Sequence, residues 1–535
     1  MMDEKLKQFI KDYRSKVADL EKKKHVAYFD AAVTGEQKYY QLYEQLEVVH
    51  TRLLSDRESL EFLASARENT EDSLLKRQAD LLYNIYQAHQ VPAELQEEII
   101  HLETKIANQF SVFRAEVGGK KLTDNEVEEL LETTTDSKKA QEAWEASREV
   151  GSLVEEDVKR LVKLRNQAAE KLGYANYHQM SLVLSEQSPE EVNALFDHLD
   201  ALTRDGFSGV KDSIDQHLAH KFGISVSNLR PWHYQDRFFQ EAPSLTAVDM
   251  DTHYADQDIV KLTADYFRNI DLPMDDLLAG SDLFEKPGKN QHAFCIHIDR
   301  YGDVRVLCNI KPNRKWMNTM LHEYGHAVYE KFYTPDLPFV LREPAHIFTT
   351  EAVAMFFGRL ASNPRWMQAM GILDGKQADK IAPLTRQIMQ TEQLVFSRWA
   401  QVMYRFEQAL YANPDQDLNK LWWRLVEKYQ RLAPPDDMTQ AHWASKIHVA
   451  TAPCYYHNYL LGELLASQFY AYLDKHELSE LPDGHGYADE PAIGRFFREK
   501  VFAPGARMHW KEMILKATGN ELDPKFYAAQ FAGKT

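Results

Sequence analysis

Apolar residues recur at three- and four-residue steps along most of this 535-residue chain, and that spacing commits it to a mostly α-helical architecture. The first 115 residues read as charged amphipathic helices, with clear runs at Tyr39–Leu54 and Leu95–Phe113. Gly118-Gly119 interrupts the pattern. Thr123, with Glu126 three residues on, predicts a capping box at the next helix start. Ser188-Pro189-Glu190-Glu191 predicts another start, with proline in the first helical position. Strand character is confined to His292–Asn309, HAFCIHIDRYGDVRVLCN. A turn at Tyr301-Gly302 makes it a hairpin with Arg300 opposite Asp303 and Cys295 opposite Cys308.

Composition narrows the classes of function. Hydrophobic residues at 44% and charged residues at 27% are the balance of an ordinary globule. A net charge of −18, from 63 basic and 81 acidic residues, argues against nucleic acid as a partner. Its plain role is to keep a soluble surface apart, and near a cleft it favours neutral or cationic peptides. Three cysteines are too few for a disulfide scaffold, so Cys295 and Cys308 are expected as reduced, packed thiols. The first residues enter a charged helical pattern with no apolar leader. The apolar stretch Ala450–Leu473, interrupted by His457, Asn458 and Glu463, reads as a buried core helix and not a membrane span. The expected compartment is the cytoplasm, with no membrane partner.

The segment Lys315–Phe332, KWMNTMLHEYGHAVYEKF, carries an apolar helical face from Trp316 to Phe332. Within it lies His322-Glu323-Tyr324-Gly325-His326. On a helix, residues i and i+4 stand one turn apart on the same side, so both imidazoles reach one metal ion. Glu323 lies beside that ion and suits a general base, not a ligand. Glycine at 325 costs helix stability, so a close packing partner is expected there. The pattern predicts one Zn²⁺ per chain, held by three protein ligands with the fourth position open.

Spacing selects the third ligand by elimination. Phe332 stands where a metzincin carries its third histidine, and Ala345 and His346 stand where a thermolysin-like spacing places glutamate. Glu330 is one turn past His326, too far along the helix, and Glu343 sits beside Pro344 in an irregular connection. Glu351 follows a helix start at Phe348-Thr349-Thr350 and opens the apolar run EAVAMFFGRLA. A buried carboxylate there needs a partner, and zinc supplies one. The plainer alternative is a carboxylate in the first helical turn, held by the helix dipole.

The chain resembles the angiotensin-converting-enzyme family of peptidyl-dipeptidases, with features shared by the thimet oligopeptidase and oligoendopeptidase families. The series runs in order over about the last two-thirds of the chain. It begins with the hairpin, His322 to His326, Asp336-Leu337-Pro338, Leu341-Arg342 and Glu351. It continues through Trp422-Trp423, Lys428-Tyr429-Gln430, Pro434-Pro435, Lys446-Ile447-His448-Val449 and the pair Tyr456 and Tyr459. The resemblance implies a prolate, mostly helical zincin-type peptidase with a deep central channel and the hairpin beside the zinc helix. In that scheme residues 1–115 form a lid and 116–535 the catalytic body. It also implies that His448 and Tyr459 donate to the tetrahedral oxyanion, and that Lys446 holds the substrate's C-terminal carboxylate. Tyr456 belongs with the substrate contacts, and Tyr234 or Gln235 would make a second carboxylate contact. The edge strand His297 to Asp299 suits an extended substrate added as a strand, which makes His297 a further candidate.

Two departures stand out. Val426 and Asn458 occupy the places of the family's chloride-site arginines, so chloride is not expected. Met355 stands where the family has the aspartate that supports a zinc histidine, so another group must hold that imidazole. The expected function is a zinc metallopeptidase acting on short peptides and releasing C-terminal dipeptides. An endo-acting oligopeptidase is the nearest alternative. A non-catalytic zinc-stabilised binding protein is more remote, because it has no use for Glu323 and closes all four metal positions.

Overall fold

In the computed structural model, which describes residues 2–243, 245, 249–481 and 485–533, helices follow one another along the chain. Among the described residues strands occur only as two small two-stranded sheets. The local stop and start signals act as read. Thr123 and Glu126 form a reciprocal capping box on the helix Asp124–Thr133, and Ser188 caps Pro189–Phe222 with proline in its first turn.

The first sheet was not foreseen. Ala115–Val117 pairs with Lys120–Leu122 across Gly118-Gly119, whose φ values are +57° and +73°. Two successive positive-φ residues make the tight turn that matches hairpin twist, and glycine adopts them without steric cost. Strands of three residues are too short to show alternation, so only the glycine break was visible.

The second hairpin lies where expected but in a different register. Phe294–His297 pairs with Val304–Leu307, which sets Cys295 opposite Val306 and not Cys308. Asp299 is the cause. Its Oδ1 accepts the backbone N–H groups of Tyr301 at 2.8 Å and Asp303 at 3.2 Å, closing a four-residue loop inside the Ile298–Asp303 pair. The shift is two residues, so every side chain keeps its face. All three cysteines are free.

The apolar stretch from Ala450 is not one helix. Pro453 forces Ala452 out of the helical region, to φ −136° and ψ 60°, and the long helix begins at His457 and runs to His476. Leu460, Leu464, Leu465, Phe469 and Leu473 are fully buried along it. Among the described residues no helix is long and apolar enough to cross a membrane.

The chain divides into two compact units. The first comprises Met1–Gln90, Val248–Thr385 and Leu461–Phe526; the second comprises Val91–Ala247, Arg386–Leu460 and Tyr527–Thr535. Residue 115 falls inside the second unit, just after the helix Ala93–Val112. In the first unit the N-terminal helices bury Leu6, Tyr13, Val17, Leu63 and Leu82 with Phe339 and Val340. The helix Met2–Thr34 also packs Phe29 and Ala32 against Ile298 and Leu307 of the hairpin. Arg300 pairs there with Glu21 at 3.0 Å. In the second unit the helix Ser137–Lys171 crosses the segment His442–Ser445 at Gly151, where a Cβ would lie 2.2 Å from the Ala441 carbonyl oxygen. Trp144 packs beside Trp232, Trp423 and His442.

Candidate functional site

Two helices of the first unit build the candidate metal centre. Arg314–Lys331, the histidine helix, starts at Asn313, whose side chain accepts the Trp316 N–H. Ile347–Gly358, the glutamate helix, starts at His346, whose ring nitrogen accepts the Phe348 N–H. This start is earlier than expected and puts Glu351 in the second turn, where the dipole of the helix end has faded. The helices approach closely at Gly325, where a Cβ would lie 2.9 Å from the Ala354 Cα. That is the packing partner the glycine implied.

The approach brings His322, His326 and Glu351 together, with one ligand atom from each within 4.8 Å of the others. His326 Nε2 lies 3.3 Å from His322 Nε2, and Glu351 Oε2 lies 3.7 Å and 3.9 Å from the two imidazoles. A point equidistant from three atoms so spaced is about 2.1 Å from each, the length of a zinc–nitrogen or zinc–oxygen bond. Burial lowers the His322 pKa to about 4 and that of His326 well below its ordinary value, so both rings are neutral and able to ligate. Two neutral imidazoles and one carboxylate are a donor set that fits Zn²⁺.

Glu323 is buried beside this triangle. Burial, with the nearby Glu351 charge, pushes its pKa up to about 8, while a hydrogen bond with the Cys295 backbone opposes the rise. A bound divalent cation counters the upward shifts. The hairpin therefore aims the carboxylate through the backbone at Cys295.

The remaining candidates of this unit are less free than the sequence suggested. The His297 carbonyl oxygen is 2.9 Å from His25 Nδ1, and its ring accepts the Gly302 N–H at 3.2 Å while stacking on Tyr333. The strand ends at His297 and Asp299 is spent in the loop, so the expected 297–299 edge is not an open strand edge.

Lys446, His448, Tyr456, Tyr459 and Gln235 belong to the second unit. Lys446 is buried, with its Nζ 5.0 Å from the Phe238 ring centre, 5.4 Å from Trp399 and 5.7 Å from Tyr456. Its hydrogen-bond partner is Gln240 Oε1, at 2.6 Å. No carboxylate pairs with it among the described residues. Burial pushes its pKa down to about 8, with Asp236 acting in the other direction. Tyr456 packs edge-on to His448 and Tyr459, each at 5.4 Å between ring centres. Gln235 points elsewhere, its amide reaching the Glu132 carbonyl at 3.4 Å. The hydroxyl of Tyr234 is taken by Lys211 and Asp215. Gln240, and neither Tyr234 nor Gln235, meets Lys446.

A family model described as angiotensin-converting enzyme matches residues 1–526. The chain belongs to the angiotensin-converting enzyme family. Its angiotensin-converting enzyme relative from Mus musculus is 23% identical over 277 residues, covering 50% of this chain and 21% of that protein. The angiotensin-converting enzyme of Mesocricetus auratus is 24% identical over 360 residues, 61% of this chain and 27% of that protein. The angiotensin-converting enzyme-like protein Ace3 of Mus musculus is 23% identical over 429 residues, 74% of this chain and 57% of that protein. The chain thus spans between a fifth and somewhat over half of the length of these relatives.

Two further side chains touch the candidate residues, Gln240 at Lys446 and Thr350 at His326. Gln240 sits in an irregular segment whose Asp236 accepts its backbone N–H, and no motif marks it. Thr350 lies 2.7 Å from His326 Nδ1 and stands in the sequence directly before Glu351. By sequence it belongs to a helix start. Val426 lines a small cavity with Arg148 and Trp422, and Asn458 accepts a hydrogen bond from Gln187 at 2.9 Å. The Arg148 guanidinium is met by the Ser445 hydroxyl at 2.8 Å and the carbonyls of His442 and Arg237.

Proposed function

We propose that this chain is a zinc metallopeptidase that removes dipeptides from the C-terminal end of short peptides. The observation that carries the reading is the His322, His326 and Glu351 triangle with a buried, non-ligating carboxylate, Glu323, beside it. His322, His326 and Glu351 would hold a zinc ion, which would supply Lewis-acid polarisation of the scissile carbonyl. Glu323 takes the proton of the attacking water and hands it to the leaving amine. His448 and Tyr459, assigned by the family series, donate hydrogen bonds to the oxygen that gains charge. Lys446 and Gln240 receive the substrate's terminal carboxylate, and this places the reacting bond at a set distance from the chain end. The buried ammonium, with an amide partner and no carboxylate ion-paired to it among the described residues, supports that role.

Purified protein is expected to hold about one zinc per chain. Mass spectra of the products of short peptides are expected to show C-terminal dipeptides. Absence of bound zinc, or of any cleavage, overturns the enzyme reading. Internal cleavage that ignores the chain end replaces dipeptide release with the endo-acting alternative.

Chloride is not expected to activate. The hydrogen bonds from both terminal nitrogens of Arg148 are already directed to protein oxygens, and neither Val426 nor Asn458 adds a positive charge. Exchange of chloride for acetate at constant ionic strength should leave kcat/KM within about twofold. A several-fold fall would show that other residues build an anion site.

A further inference from the structure

We infer that the Thr350 hydroxyl orients the zinc ligand His326 in this chain, by accepting the imidazole Nδ1–H. The inference rests on the zinc reading above. A neutral imidazole carries a single ring proton, so a ring that offers Nε2 to a metal holds its proton on Nδ1. An acceptor at Nδ1 fixes both the tautomer and the plane of the ring. Thr350 Oγ1 lies 2.7 Å from that nitrogen, while His326 Nε2 faces His322 and Glu351.

The neighbouring threonine shows what Thr350 is not doing. Thr349 Oγ1 donates to the His346 carbonyl at 2.7 Å, the local bond that a helical threonine ordinarily makes. Thr350 is buried as well, yet its hydroxyl bonds across to the other helix, 24 residues back in sequence. Consecutive helical residues point roughly 100° apart. Thr350 and Glu351 therefore address opposite edges of one ring from a single turn of the glutamate helix. The reach depends on the close crossing at Gly325. Met355, where the resemblance led us to look for a supporting carboxylate, packs against Gly462 instead, with its Sδ 3.1 Å from where a Cβ there would lie.

The test compares wild type, Thr350→Val and Thr350→Ser in the full chain, by zinc dissociation constant under chelator competition and by the melting temperature of the metal-free protein. Valine keeps the branched shape and removes the acceptor. It is expected to weaken zinc by about 10- to 100-fold, whereas serine keeps binding within about threefold. Metal-free melting should move little in either, because the readout is metal affinity and not packing. Equal binding by Thr350→Val overturns the inference, and so does a serine variant that loses as much as valine. Spectra of ¹⁵N-histidine in the metal-free wild type provide a second measurement should the valine variant not fold. They are expected to show His326 as the Nδ1–H tautomer, and an Nε2–H tautomer overturns the assignment. A wild type that binds no zinc defeats the metal reading itself, and the tautomer still decides the role of Thr350.

Discussion

Glu323→Gln is expected to bind zinc as the wild type does and to lose about two to four orders of magnitude in kcat/KM. Glutamine has nearly the shape of glutamate, and its carbonyl oxygen can keep the hydrogen bond with the Cys295 backbone. The triangle of donors is untouched, because Glu323 is not one of them. What disappears is the ability to take a proton from water and return it to the amine. His322→Ala or Glu351→Ala is the matching control, expected to lose metal and activity together. Zinc content by elemental analysis and kcat/KM on one short peptide separate the two outcomes. A glutamine variant with full zinc and activity within tenfold of wild type would remove Glu323 from the role of base. The comparison works because ligand and base sit on adjacent residues of one helix and are tested separately.

The grouping of His322, His326 and Glu351 was legible because most of it is local. His322 and His326 are bound together by helical periodicity, and no tertiary information is needed to put them on one side. Glu351 required only that a second buried helix return; Glu330 was eliminated on reach, and Glu343 by the irregular connection beside Pro344. Even the glycine at 325 spoke through its cost, and a helix crossing answers it. Helix starts at Asp124 and Pro189 were readable for the same reason, since a cap is decided by three or four neighbouring residues.

What was not legible depends on distances between segments far apart in sequence. Thr350 is unremarkable until the crossing of two helices is known, and Gln240 lies in a stretch with neither periodicity nor motif. Tyr234 and Gln235 drew attention because they follow Trp232, but backbone geometry turns Gln235 away, with φ at +68°. The hairpin register failed for a smaller reason. Asp299 captures two backbone N–H groups and moves the loop centre by one residue, a side-chain effect that counting outward from a glycine misses. The break at Pro453 is present in the sequence, but apolar residues on both sides of it give the stretch the look of one continuous helix.

Lys446→Ala is expected to lower kcat/KM for a free-acid peptide by one to two orders of magnitude, the value of a charge-assisted contact worth about 1.5–3 kcal/mol. Amidating the C-terminus of the same peptide should cost the wild type a similar factor. Applied together, the two losses should not add, because each removes one half of the same pair. Additive losses would mean that Lys446 acts through something other than the terminal carboxylate. A second readout follows from the environment of the ammonium. Burial among Phe238, Trp399 and Tyr456 pushes its pKa down to about 8, so the charge is present at neutral pH and is lost as pH rises through that value. The ratio of kcat/KM for the free acid to that for the amide should therefore fall above pH 8, since kcat/KM reports the free enzyme. In Lys446→Ala the ratio should be low and flat with pH. Taking the ratio cancels other groups that titrate in the same range. If the wild-type ratio is also flat and near one, the carboxylate is not read at Lys446, and cleavage set by the chain end gives way to internal cleavage with the metal chemistry unchanged.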